Sequence, residues 1–274
     1  DLPARPVQPQ PDRARRDFPP MFHDGCNASP DATELIGCRF GAEGDVPVVV
    51  LAGDTLAAQW APALRTIAGQ YGFALIVHTK SRCPYFDAEV MTARGPDQAC
   101  RAWTETLSRE LERLQPDLVI TSLASNTLVH GEQSAAGMSA AITGGLERMW
   151  EQLDTDGIPV LALSATPHFP FDVPDCLMEN GTDNLACISP RSVVLTTPDP
   201  IEIAAEHVGT ATFLSLNDLI CDPVDCPPVV GNVLVYRDAQ HLSVSYVQTL
   251  APALAPSILD ILDIAYRDNG DEPQ

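Results

Sequence analysis

Five short runs limit what this chain can fold into: Val48–Ala52, Phe73–Val77, Leu118–Thr121, Val160–Leu163 and Ala211–Leu214. Each is brief and mostly aliphatic, with little polar alternation, as expected of strands buried on both faces. Between them lie longer stretches with helical spacing. Leu56–Tyr71 is one. Ala99–Gln115 carries Trp103, Leu107, Leu111 and Leu114 along one side, and Gln133–Leu153 carries Met138, Ile142, Leu146, Met149 and Trp150. Pro200–His207 is a shorter one. Strand and helix alternating in this way predict a parallel sheet covered by helices on both faces. Ligands then bind beyond the carboxyl ends of the strands.

The remaining stretches are read as connections. Residues 26–46 and 84–98 are loops, and Thr166–Pro190 is a long one rich in proline and aromatics. Val229–Tyr236 forms a small hairpin about Gly231-Asn232, and Ser243–Ile264 is a last helix bent by Pro252 and Pro256. With 274 residues and 45% hydrophobic content, one domain or at most two can be filled. The expected division is a Pro/Arg-rich linker over residues 1–25, one domain over 26–266 and an acidic tail over 267–274. The opening at Asp1, with no leader sequence, is read as that of a mature form or an excised domain.

Charge removes one class of partner. Acidic residues number 37 against 16 basic, a net charge of −21, and phosphate backbones require a basic face. Nucleic acid is therefore not expected to bind. No apolar run reaches ~18 residues, so no membrane-crossing segment is expected. There is no glycine-rich dinucleotide fingerprint, and no cofactor or metal is expected.

The eight cysteines fall in chain order as neighbours: Cys26 and Cys38, Cys83 and Cys100, Cys176 and Cys187, Cys221 and Cys226. Disulfides between neighbours are the economical pairing among 105 possible ones, and they imply an oxidising compartment. Zinc is the rival reading, but no Cys-x-x-Cys and no histidine at ligand spacing accompany these residues.

Chemistry concentrates at two places. After the run Val48–Ala52 the chain reads Gly53-Asp54-Thr55-Leu56 and enters a helix. A hydroxyl on a sharp strand-to-helix turn is lifted to the sheet edge, beside backbone N–H groups that can hold an anion. The same turn also reads as an ordinary helix cap. Far along the chain stands Asp238-Ala239-Gln240-His241. A carboxylate three residues from a histidine can fix its tautomer and stabilise its cation. Asp238 as a cap and His241 as a surface residue is the plainer alternative. Taken together, the two places supply nucleophile, orienting acid and base in the order Thr55, Asp238, His241.

These stretches resemble the SGNH (GDSL-like) hydrolase superfamily. The closer likeness is to the extracytoplasmic SGNH domain at the C-terminus of bacterial acyltransferase-3 fusion proteins. It rests on Val50–Trp60, Thr79–Pro84, Pro116–Ser122, Thr166-Pro167, Pro174–Leu177 and Tyr236–Ser243, and spans about Asp24 to Pro256. The resemblance implies a three-layer α/β/α sandwich with a central parallel sheet, of SGNH/flavodoxin-like type, with disulfide-stapled loops. It implies an extracytoplasmic O-acyltransferase, of O-acetyl type, acting on cell-envelope polysaccharide or glycolipid. The acyl donor would come from an upstream membrane acyltransferase domain that tethers this one.

The family pattern Gly-Asp-Ser, usually followed by His in this subgroup, is here Gly53-Asp54-Thr55-Leu56. The extra methyl of Thr55 restricts χ1 and crowds an incoming acyl carbon. A carbohydrate esterase, or an impaired domain that only binds glycan or a membrane partner, stays open beside the transferase. Asp54, Lys80, Ser81 and Asn126 are the further oxyanion or substrate-binding candidates. Asn126 is also an ordinary turn residue. His168, between Pro167 and Phe169, reads either as a groove-lining or a plain loop residue.

Overall fold

The computed structural model describes residues 6–182 and 185–265. Its sheet contains seven strands: β1 Asn27–Ala28, β2 Cys38–Gly41, β3 Val48–Gly53, β4 Ala74–Lys80, β5 Leu118–Ser122, β6 Val160–Leu163 and β7 Ala211–Leu214. The spatial order is β1-β4-β3-β5-β6-β7, all parallel along this path. Strand β2 lies antiparallel on β4, pairing Cys38 to Val77 through Gly41 to Ala74. Counted from β3, the strands β3 to β7 run 2-1-3-4-5, a doubly wound order. Its reversal point lies between β3 and β5, where such folds bind ligands.

The two faces follow from strand alternation. Val49 and Leu51 point to one core, shared with Leu64, Ile67, Leu254 and Ile258. Val50 and Ala52 point to the other, with Trp103, Leu107, Leu146 and Trp150. The first core is covered by α1 Thr55–Ala58, α2 Ala61–Tyr71, α7 Val244–Thr249 and α8 Ala251–Ile261, and the second by α3 Gln98–Leu114, α4 Ala135–Thr155 and α6 Pro200–His207. A further helix, α5 Val173–Asn180, packs on the first core through Val173 and Leu177. Three layers result.

All four neighbour disulfides are present: Cys26–Cys38, Cys83–Cys100, Cys176–Cys187 and Cys221–Cys226. The first holds β1 and β2 end to end along β4, since Cys26 precedes one strand and Cys38 opens the other. Residues 26–46 are therefore not a plain loop but an edge of the sheet. The long helix expected after Thr55 is broken at Gln59 and Trp60, with Pro62 in the first turn of α2. The final helix is likewise two, divided at Leu250. In the loop expected over 166–190, Asp172 caps α5 by accepting from the Asp175 N–H, and Pro174 sits in its first turn.

Residues 6–25 do not behave as a poorly packed linker. Pro11–Ala14 is a helical turn whose Ala14 is fully buried, and Met21 joins the first core. The Gln8 N–H donates to Asn232 (2.8 Å), and the Gln8 carbonyl accepts from Leu234 (2.9 Å). Arg15 reaches Asp172 and Asp175 at 2.9 and 2.6 Å. The proposed acidic tail over 267–274 lies outside the described residues. Among the described residues, no helix is long and apolar enough to cross a membrane, and no His/Cys/Asp/Glu cluster could hold a metal ion.

Candidate active site

At the reversal point the chain leaves β3 through Gly53, whose φ of 140° lies in the region open to glycine. Gly53 is also squeezed: a Cβ there would meet the Ala57 Cβ at 2.9 Å and the Ser122 carbonyl at 3.0 Å. Asp54 then caps α1, its Oδ1 accepting from Leu56 (2.8 Å) and Ala57 (3.4 Å). Burial pushes the Asp54 carboxyl up, against the N–H of Leu56, the His241 charge and the N–H groups of Ala57 and Ala124. Asp54 is thus a structural cap aimed into the helix. Thr55 follows at the first helical position, and its N–H is the donor of that turn left uncapped.

Across from it, residues 236–242 form a tight loop closed by a bridge between Tyr236 and Leu242, with the Arg237 N–H donating to the His241 carbonyl (3.0 Å). Asp238 organises its interior. Oδ1 accepts from the N–H groups of Gln240 (2.9 Å) and His241 (2.7 Å), and Oδ2 accepts from the His241 ring at Nδ1 (2.8 Å). His241 Nε2 in turn lies 2.9 Å from Thr55 Oγ1, across 186 residues of chain. With the Nδ1 proton on the carboxylate side, Nε2 presents its lone pair to the Thr55 hydroxyl. Burial alone would raise the Asp238 carboxyl. The hydrogen bond and charge of His241, with the two backbone N–H groups, outweigh it and bring the carboxyl down to about 2. The His241 side chain is 14% exposed and that of Asp238 32%, so both are partly open to solvent.

The other candidates divide. Asn126 is exposed, and its Nδ2 lies 3.3 Å from Nδ1 of His168. The two side chains flagged in separate loops therefore meet. Lys80 is fully buried, with Nζ donating to the Pro30 carbonyl (2.7 Å) and to that of Ala32. Its charge holds the 29–32 loop and is not open to a ligand. Ser81 Oγ accepts from Asn27 Nδ2 (2.8 Å) at the end of β1. Neither is hydrogen-bonded to the Thr55 hydroxyl, whose partner is His241 Nε2. Leu56, in the position where the subgroup resemblance expects histidine, is buried at 3% exposure.

Two polar residues within the stretches that carry the resemblance were not among the site candidates. Gln59, one turn after Thr55 on the same helix face, is buried, and its Oε1 accepts from the Leu242 N–H (2.8 Å). Thr166 donates from Oγ1 to the Gln240 carbonyl (3.1 Å). The available signal was the polar Gln59 inside the apolar run Leu56–Trp60.

The family model described as "SGNH domain (fused to AT3 domains)" matches residues 25–256. The chain belongs to this family. Among solved structures, this SGNH domain is similar to the periplasmic domain of the Salmonella ser. Paratyphi A lipopolysaccharide acetyltransferase, with a TM-score of 0.59 and 14% identity. That likeness covers 79% of this chain and 85% of the other, and establishes a shared fold. No curated protein matches the chain. The SGNH domain model begins at residue 25, so the packed segment 6–24 lies outside the matched region.

Proposed function

We propose that this SGNH domain is an extracytoplasmic O-acyltransferase, transferring acetyl or another small acyl group to a hydroxyl of cell-envelope polysaccharide or glycolipid. The observation carrying this reading is the unbroken hydrogen-bonded run from Thr55 Oγ1 through His241 to Asp238. His241 Nε2 removes the Thr55 proton as Oγ1 attacks the acyl carbonyl, and the Thr55 N–H faces the developing oxyanion. The imidazolium, stabilised by Asp238, returns the proton to the leaving group. A sugar hydroxyl, deprotonated by the same nitrogen, then attacks the acyl carbon, the bond from that carbon to Thr55 Oγ1 breaks, and His241 returns the proton to Oγ1. The family's fusion to AT3 domains supports a membrane partner as source of the acyl donor. The likeness to the periplasmic domain of a lipopolysaccharide acetyltransferase supports acetyl as the group and an envelope glycan as acceptor. Four disulfides support an oxidising, extracytoplasmic location.

Hydrolysis is the competing outcome, because the relay faces solvent and water can replace the sugar. Both outcomes share the acyl-enzyme step, so an activated acetyl ester tests that step directly. Wild type should release acetate. Asp238→Asn should be slower by about four orders of magnitude, and His241→Ala by at least as much. Thr55→Ser should equal or exceed wild type, since it removes the crowding methyl. An ester turnover indifferent to His241→Ala, or none in wild type and Thr55→Ser alike, would leave a glycan- or partner-binding domain as the function.

A further inference from the structure

We infer that Gln59 and Thr166 are positioning residues that set the distance between nucleophile and base, an inference that rests on the acyl-transfer reading above. The base loop carries its own internal order. Asp238 Oδ1 binds the N–H groups of Gln240 and His241, Oδ2 binds the imidazole, and the Arg237 N–H closes on the His241 carbonyl. All these bonds lie within residues 237–241. They fix His241 relative to Asp238 but say nothing of where the loop sits relative to Thr55.

Its docking comes from elsewhere. The backbone is gripped on either side of His241: the Gln240 carbonyl accepts from Thr166 Oγ1 (3.1 Å), and the Leu242 N–H donates to Gln59 Oε1 (2.8 Å). The grips are joined, because Gln59 Nε2 donates to Thr166 Oγ1 (3.5 Å). Gln59 and Thr166 are 1% and 5% exposed, so water offers no substitute partners. Gln59 also belongs to the chain that carries the nucleophile, closing α1 four residues after Thr55. The attacking oxygen therefore sits at the first residue of α1, and the amide that holds the base in front of it sits at its C-cap. A further bond, from the Phe169 N–H to the Ala239 carbonyl (2.8 Å), fixes the loop's far side without touching α1.

This division predicts an asymmetric response. In Gln59→Leu the Asp238–His241 bond survives, whereas the Thr55–His241 bond lengthens. Because small misplacements of reacting groups are costly, kcat on the activated ester should fall about 10- to 100-fold while KM changes little. Thr166→Val should show the same effect in smaller degree, and Thr166→Ser, which keeps the hydroxyl, should restore wild-type kcat. A readout independent of turnover is the ring nitrogen resonances of His241 in 15N-histidine protein, assigned by their absence in His241→Ala. Nε2 should shift in Gln59→Leu and Thr166→Val, whereas Nδ1 should not. If both variants fold with unchanged kcat and unchanged Nε2, or lose only melting temperature, the inference is overturned. If Gln59→Leu does not fold, Thr166→Val and Thr166→Ser decide alone. If wild type lacks ester turnover but Nε2 still responds, the positioning role stands and the acyl-transfer reading falls.

Discussion

The two halves of the candidate site are built by opposite means. The Thr55 half is local: a buried strand, a glycine at φ 140°, an aspartate cap and a helix, all within residues 48–58. Its neighbours are backbone and aliphatic side chains of the sheet itself. The Asp238–His241 half has no regular structure beneath it. It is a loop stitched internally by one carboxylate and held from outside by Gln59, Thr166 and Phe169. A site of this kind inherits rigidity from the sheet on the Thr55 side and must import it on the His241 side. Damage to the first half should therefore appear as lost stability, and damage to the second as lost alignment.

The largest stability effect is expected on the local side. Gly53→Ala places a Cβ at a φ that side chains rarely adopt and within 2.9 Å of Ala57 and 3.0 Å of the Ser122 carbonyl. Strain and overpacking together should cost about 3–5 kcal/mol in urea unfolding. A loss under ~1 kcal/mol would mean that the turn adjusts easily, and the contrast between the halves would break.

The same contrast explains what could be read from sequence. Strands β3, β5 and β6 were legible because burial on both faces leaves an uninterrupted aliphatic run. Strand β4 was placed, but its polar end His78-Thr79-Lys80 carried no apolar signal and is held by pairing with Ala52, Gly53, Asn27 and Ala28. The edge strands β1 and β2 were missed. They are short, β1 having two residues and β2 alternating between partly buried and exposed positions, and the Cys26–Cys38 bridge does much of the work that hydrophobic pattern does elsewhere. Thr55, Asp238 and His241 could be picked out as candidates because hydroxyl, carboxylate and imidazole are recognisable reactive groups by residue type alone, and the fold brings them within hydrogen-bonding distance. Gln59 and Thr166 could not, since a buried amide or hydroxyl acquires its meaning only from the backbone group it meets. Lys80 shows the converse: a residue type suited to ligand binding, spent on loop carbonyls.

A middle-sized effect belongs to the base loop and depends on pH. The Asp238 carboxyl lies at about 2 in the folded protein against an ordinary 3.8. Between those values the unfolded chain binds more protons, so Asp238 stabilises the fold in full above pH ~4 and ceases to as pH falls through about 2. The shift corresponds to roughly 2 kcal/mol. The unfolding free energy of wild type minus that of Asp238→Asn should therefore shrink by about this amount between pH 5 and pH 2. A difference flat across that range would mean that His241 and the backbone N–H groups do not hold the carboxylate in the way the distances imply.

The smallest effect tests whether the N-terminal segment belongs to the base half. Asp17 meets the start of α7, just beyond His241, from 228 residues away: its Oδ2 accepts from the Ser245 N–H (2.9 Å) and its carbonyl from Val244 (3.0 Å). Ser243 is the local cap of that helix, accepting from the Tyr246 N–H (3.1 Å). Asp17 is a second cap supplied by a distant segment. Burial pulls the partly buried Arg237 guanidinium down, and the charges of Asp238 and then Asp17 act against that. Asp17→Ala should cost about 1 kcal/mol, the usual worth of a cap. Asp17→Asn keeps the acceptor and loses the charge, so it should recover most of that in thermal melts, leaving only the Arg237 contribution. The informative quantity is the ratio of lost activity to lost stability. If the segment merely rests on the domain, ester turnover per folded molecule stays at wild type in Asp17→Ala. If it helps to dock the base loop, turnover falls several-fold at temperatures where the protein is fully folded, while Gly53→Ala, measured in the same way, loses stability first.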